Sequence, residues 1–267
     1  MMILICLGSL SCAGTAASIR LGHLEADRIL LFGNSITYHP PKPEIGWTGS
    51  WGMAASDASH DYVHLLNADI AKVAGASPET LATYNLQWES NYGSYDYGST
   101  VFQSQLAFQP DIVVVAVGEN VASLTTSQSQ DGYAAAFRTL LTQFKNDGNP
   151  TLFVRSEFWA DPVKDGIMKQ VTESMGGIFV DLGNPGANPL YAASSEPSNP
   201  WHGTGFSSHP GDAGMQAVAD ALFGSMVAHS APEPGSLTLA LTASSLLAVF
   251  AWRRGSFTGY RVIRRMR

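Results

Sequence analysis

A serine, an amide side chain and a histidine stand in this chain where a fold can bring them to one place. Ser35 lies in Phe32-Gly33-Asn34-Ser35-Ile36-Thr37, directly after the apolar β-type run Arg28 to Phe32. Asn120 lies in Gly118-Glu119-Asn120, directly after the β-branched run Asp111 to Val117. His209 lies in Ser208-His209-Pro210-Gly211-Asp212, just ahead of a helical stretch. These are the parts that acyl transfer needs: a hydroxyl to attack, an imidazole to take its proton, and fixed N–H donors for the oxyanion. A serine beside glycine is ordinarily a turn residue, and an asparagine after a strand is ordinarily a strand end. Three such segments in order favour the catalytic reading.

The intervening sequence alternates strand and helix patterns. Strands are expected at Arg28 to Phe32, Leu81 to Leu86, Asp111 to Val117, Thr151 to Val154 and Ile178 to Asp181. The third is continuous in β-branched residues, as a buried parallel strand should be. Helical spacing marks Asp61 to Val73, Gly132 to Phe144, Pro162 to Met175 and Ala213 to Val227. This order predicts a three-layer α/β/α sandwich with a five-stranded parallel sheet. In such sheets, sites form beyond the carboxyl ends of the strands, where Ser35 and Asn120 fall. Asp212 reads as the N-cap of the last helix. Two long loops, Tyr38 to Ser59 and Asn184 to Ser208, are of a length usually tied to function.

The block Gly33-Asn34-Ser35-Ile36-Thr37 resembles the nucleophile block of the SGNH (GDSL) hydrolases, whose fold is flavodoxin-like. The resemblance runs over residues 28 to 228. It implies that Ser35 is the nucleophile and, through its N–H, an oxyanion donor. It also implies that Asn120 is a further oxyanion donor and that His209, before a proline and a helix, is the base. The family's second block is a lone glycine, matched to Gly98, with Gly93 as the rival. Asn34 replaces the usual Asp and is read as a loop-shaping residue. The family's acid three residues before the histidine is replaced by Phe206. A backbone carbonyl is then left to orient the imidazole, and the expectation is a Ser–His dyad that is slow or inactive.

Substrate contacts are nominated in the loops: His39, Trp47, Trp51 and Trp201, with the tryptophans as stacking faces for sugar rings. The competing reading is that such aromatics pin their own loops to the core. His60 and His64 stand four apart, but no glutamate base or third ligand accompanies them, so no metal is expected. No cofactor is implied.

The two ends read as addresses. Residues 1–17 are apolar or small and finish in Ala-Gly-Thr-Ala-Ala, a signal-peptide pattern holding both cysteines, Cys6 and Cys12. The hydrolase-like domain is then 18–230. In 231–267, Pro232-Glu233-Pro234 is followed by the uncharged run 235–252 and Arg253-Arg254. At roughly 1.5 Å per residue that run spans about 27 Å, enough to cross a hydrocarbon core with its arginines in the cytoplasm. This arrangement resembles the PEP-CTERM sorting signal, which implies an exosortase-type processing protease, a transient membrane anchor and export to the envelope or beyond. Six of the 15 basic residues lie in the last fifteen positions, leaving nine to set against 22 acidic residues. So acidic a body repels phosphate backbones, and nucleic acid is not an expected partner. The expectation is a serine esterase acting on acyl groups of carbohydrates or small esters. Its rival is a non-catalytic carbohydrate-binding or matrix protein on a degenerate scaffold of the same kind.

Overall fold

The computed structural model describes residues 18–231. The expected signal segment 1–17 and the expected membrane helix 235–252 lie outside the described residues. Among the described residues no helix is long and apolar enough to cross a membrane.

Five parallel strands form the sheet: β1 (Arg28–Gly33), β2 (Glu79–Tyr84), β3 (Ile112–Ala116), β4 (Thr151–Arg155) and β5 (Ile178–Val180). Their order across the sheet is β2-β1-β3-β4-β5, so the chain reverses its direction of winding between β1 and β3. That reversal opens a crevice at the carboxyl edge, where ligands of open α/β sheets bind.

Strand side chains alternate between two cores. Ile29, Leu31, Ile112, Val114 and Phe153 face one, with α1 (Tyr62–Ala74) and α6 (Asp212–Ser230) closing it. Leu30, Phe32, Val113, Val115, Leu152 and Val154 face the other, covered by α4 (Ser127–Asn146) and α5 (Pro162–Ser174). The result is the expected three-layer α/β/α sandwich. Its central strand β3 is buried throughout, which is why it reads as an unbroken β-branched run.

Two α-helices were not expected. The second strand ends at Tyr84, and Leu86–Asn91 turns into a short helix, α2, that buries Trp88 and Glu89. A further helix, α3 (Thr100–Leu106), starts at Ser99, whose hydroxyl accepts the Phe102 N–H. One expected cap is corrected. Asp212 is the first residue of α6, not its cap, and its carboxylate accepts from the Ser56 N–H and hydroxyl. The N–H groups of Asp212 and Ala213 go instead to Glu196, which reaches back from the preceding loop. Gly211, at the cap position itself, leaves room for that carboxylate; a Cβ there would collide with it.

Candidate active site

Ser35 is set by a tight turn at the end of β1. The N–H groups of Thr37 and Tyr38 both donate to the Asn34 carbonyl at 3.0 Å. Gly33 allows this turn, because a Cβ at that position would overlap the Thr37 side chain. The turn lifts Ser35 out of the sheet and leaves it partly buried, with Oγ 3.0 Å from His209 Nε2.

The imidazole is held from its other side. His209 Nδ1 lies 3.0 Å from the backbone carbonyl of Phe206. A carbonyl can only accept, so Nδ1 carries the proton and Nε2 is left as the acceptor facing Ser35. Burial holds the pKa of His209 below its ordinary 6.5, with the Phe206 carbonyl opposing that shift. The carbonyl is in turn fixed by packing. The Phe206 ring meets Trp47 edge-on at 5.6 Å and tilts against Trp201 at 5.8 Å. The loop that carries His209 closes on itself: Ala193 N–H donates to the His209 carbonyl and Ser194 N–H to that of Ser207.

Asn120 is set by charge. Gly118 takes a φ of +131°, a conformation that L side chains rarely adopt. A Cβ there would also run into Glu157. Glu89 gathers the segment that follows. Its Oε1 accepts from the Gly118 N–H at 2.6 Å, the Asn34 side chain at 3.1 Å and the Asn120 N–H at 3.3 Å. Its Oε2 accepts from Asn120 Nδ2 at 2.7 Å. Asn34 also donates to Glu119, so the residue beside Ser35 is bound both to the Glu89 carboxylate that holds Asn120 and to Glu119.

Beneath lie further buried charges. Arg155 donates to Glu119 at 2.6 Å. Lys164 donates to the Gly118 and Val121 carbonyls and pairs with Glu157 at 2.7 Å. Burial, and then the nearby Glu119, raise the pKa of Glu89. Burial pushes Glu119 up as well, but the Arg155 guanidinium and hydrogen bonds outweigh it and hold that carboxyl low. Burial pushes Glu157 up to about 8 in spite of Lys164.

Several nominated residues lie elsewhere. Gly98 is corrected: it sits in an exposed turn before α3 with its N–H committed to Asp96 Oδ1 at 2.9 Å. The intervening α2 carries it away from the end of β2. Gly93, its rival, lines an open cleft of about 520 Å³ with Glu89, Ser90, Tyr92, Ser94 and Asn120. Trp47 is also corrected as a sugar-stacking face, since it is wholly buried and its indole N–H donates to the His39 carbonyl. Trp51 and Trp201 are partly buried and both donate to the Ala55 carbonyl, so they pin the loops together. His39 is buried, packs on Tyr84 at 4.7 Å and directs Nδ1 to the Pro40 carbonyl, so it offers substrate little surface. His60 and His64 each turn Nδ1 to a neighbouring aspartate, Asp57 and Asp61.

Sequence reasoning missed Glu89 and Trp159. Glu89 lies three residues past the expected strand Leu81 to Leu86, where no element was expected. Trp159 follows β4, and its ring stands perpendicular to that of His209 with centroids 5.8 Å apart. The signal for Trp159 was its place just beyond the carboxyl end of a parallel strand, where site residues gather.

No family model matches the sequence, and no curated protein matches it. Solved structures do resemble the fold. A family two carbohydrate esterase from Clostridium thermocellum, in complex with cellohexaose, aligns with a TM-score of 0.48 and 18% identity over 74% of this chain. The alignment spans 62% of that esterase. A family two carbohydrate esterase from Cellvibrio japonicus aligns at 0.42 and 14%, over 74% of this chain and 59% of its own. A protein described as a GDSL-like lipase, from Bacteroides uniformis ATCC 8492, aligns at 0.46 and 15%, over 75% of this chain and 95% of its own. At TM-scores below 0.5, these likenesses decide neither family nor activity.

Proposed function

We propose that this protein is a serine esterase that works through a Ser35–His209 dyad and an acyl-serine intermediate, without a cofactor. The observation that carries the reading is the chain of contacts from Ser35 Oγ to His209 Nε2 and from Nδ1 to the Phe206 carbonyl, each 3.0 Å. In the proposed reaction, Ser35 Oγ attacks the ester carbonyl carbon as its proton passes to Nε2. The carbonyl oxygen takes the displaced electron pair, facing the Ser35 N–H and the second hydrogen of Asn120 Nδ2. Collapse breaks the bond to the alcohol oxygen, which leaves with the proton from Nε2. Water then attacks the acyl carbon as its proton passes to Nε2, and the bond to Ser35 Oγ breaks to release the acid as Oγ takes that proton back.

A backbone carbonyl supplies part of what an aspartate would. In a serine triad, replacing the acid by its amide costs about 10⁴ in rate, because the imidazole is left in the wrong tautomer. A carbonyl has no hydrogen to offer, so it enforces the right tautomer. It lacks the negative charge that steadies the imidazolium, so turnover is expected to be slow but measurable.

An acylated carbohydrate is the proposed substrate class. A sorting tail like that of 231–267 would place the enzyme on a polysaccharide-rich surface, an associational argument. Export is tested by deleting residues 232–267 in the producing cell: the domain should then appear in the medium. Soluble cytoplasmic fractionation of both forms would overturn it. For the catalytic reading, a fluorophosphonate probe should label the wild type and not Ser35→Ala. That variant should also lose p-nitrophenyl acetate hydrolysis with little change in thermal midpoint. Retained hydrolysis would overturn the assignment. Saturable polysaccharide binding with no turnover of any acyl ester would favour a binding protein instead.

A further inference from the structure

We infer that Trp159 is the binding face for the alcohol half of the substrate, and that this half is a sugar ring. The inference rests on the esterase reading for its direction, and on four features of Trp159 for its substance.

The first is exposure. Trp159 is 36% exposed, whereas Trp47 and Trp88 are wholly buried. Single exposed aromatics are ordinary on protein surfaces, so exposure alone decides nothing.

The second is hydrogen bonding. Five tryptophans lie among the described residues. Four commit their indole N–H to an internal acceptor: Trp47 to the His39 carbonyl, Trp51 and Trp201 to that of Ala55, and Trp88 to the Tyr97 hydroxyl. Trp159 has no protein acceptor among the described residues. Its N–H is available to a ligand hydroxyl.

The third is rigidity. The Phe158 N–H donates to Glu119, the Gly186 N–H donates to the Phe158 carbonyl, and the Ala160 N–H donates to the Asn184 side chain. Gly186 lies so close under the indole that a Cβ there would strike it. A ring held in place before binding loses little freedom when it binds. A tryptophan that only covered its own loop would gain nothing from an open face.

The fourth is position. The Trp159 ring stands perpendicular to that of His209, with centroids 5.8 Å apart. His209 must return its proton to the leaving oxygen, so that oxygen comes within hydrogen-bond reach of Nε2. Whatever the oxygen is attached to therefore lies beside His209, whose ring centroid is 5.8 Å from that of Trp159. The cleft shared by Asn120 and Glu89 lies toward β2, and Trp159 lies on the β4 side. The carbonyl oxygen and the alcohol therefore go to different sides. An indole offers a flat apolar face and one donor at its rim. A pyranose offers a C–H face and hydroxyls at its rim, so the two match.

The test uses the full chain carrying Ser35→Ala, which binds without turnover, and glucose pentaacetate with methyl glucoside as probes. Either sugar should change tryptophan emission, and that change should be absent in Trp159→Phe. Affinity for glucose pentaacetate should fall about tenfold with Trp159→Ala and less with Trp159→Phe, which keeps a ring but loses the N–H. In proteins with Ser35 intact, Trp159→Ala should lower the ratio of kcat/KM on glucose pentaacetate to that on ethyl acetate about tenfold, through KM. Unchanged affinity and an unchanged ratio in Trp159→Ala would overturn the inference while leaving the esterase reading in place. If the wild type hydrolyses neither ester but the emission change still depends on Trp159, the esterase reading fails and the sugar subsite stands.

Discussion

On one side of the site, the imidazole of His209 is steadied by an uncharged oxygen, and that oxygen is kept in place by the rings of Phe206, Trp47 and Trp201. On the other side, the amide of Asn120 is steadied by the Glu89 carboxylate, which sits over Glu119, Arg155, Glu157 and Lys164. Both arrangements fix a polar group beside Ser35. The first does so by shape and the second by buried charge. Shape is indifferent to pH and intolerant of polarity. Buried charge tolerates polarity and responds to pH and to the loss of any member. The two sides should therefore fail in different ways.

The hardest break is expected from Phe206→Asp. It restores the residue type that the family resemblance led one to look for, but it puts a carboxylate among tryptophans, not against Nδ1. Stability should drop by about 3–5 kcal/mol, measured by urea unfolding, with no gain in kcat. A faster and equally stable enzyme would show that residue 206 can turn toward the histidine.

Next comes Glu89→Gln. An amide here can still accept from Gly118, Asn34 and the Asn120 N–H through its oxygen. It then presents hydrogens to Asn120 Nδ2, so the Asn120 amide must reverse and turn its oxygen where a donor stood. We expect kcat to fall about 10²–10³-fold with little change in KM, much as for Asn120→Ala. The double variant should be no slower than the slower single one, since both remove the same donor. Additive losses would mean that Glu89 acts on something other than Asn120.

The smallest effects lie in pH dependence, and they have opposite signs on the two sides. Burial lowers the pKa of His209 in the folded protein. Activity should therefore rise with a midpoint below pH 6.5 and stay flat into mild alkali. The same shift means that the folded state holds fewer protons there than the unfolded one, so His209 costs stability as pH falls below 6.5. Glu157 behaves in reverse. Its carboxyl goes from the ordinary 4.5 to about 8 on folding, so its contribution is present below 4.5 and lost as pH rises through 8. Glu157→Gln should flatten that part of the stability profile, as followed by the thermal midpoint. An unchanged slope would mean that Lys164 keeps Glu157 ionised.

The sheet was legible because its inner strands are buried on both faces and announce themselves in Ile112 to Ala116 and Leu30 to Phe32. Ser35, Asn120 and His209 could be placed because each follows or precedes an element with a clear pattern. The rest depended on contacts that no local pattern reports. Gly98 looked well placed only while α2 was unseen. Glu89 lies three residues past the expected strand Leu81 to Leu86, and its burial follows from four donors converging from two segments. The N–H groups at the start of α6 were assigned to Asp212 by proximity in sequence, yet Glu196 takes them from sixteen and seventeen residues away. The orienting role of residue 206 belongs to its carbonyl. Every residue has one, so the side chain there carries no trace of the task.

The loop before α6 departs and returns at one point. Ala192 bridges Pro210, Ala193 meets His209, and Glu196 ties the loop to the helix start. Between these fastenings the chain runs out to an exposed turn at His202, Gly203 and Gly205 and comes back. In such a closed excursion, length at the tip is nearly free: doubling a flexible loop adds only about 0.6 kcal/mol of closure entropy. A short insertion at Gly203 would thus leave the ends, and the imidazole beside them, where they are. The fold has separated the part of this loop that can grow from the part that must keep still, so new surface could be grafted near the dyad without re-siting its base.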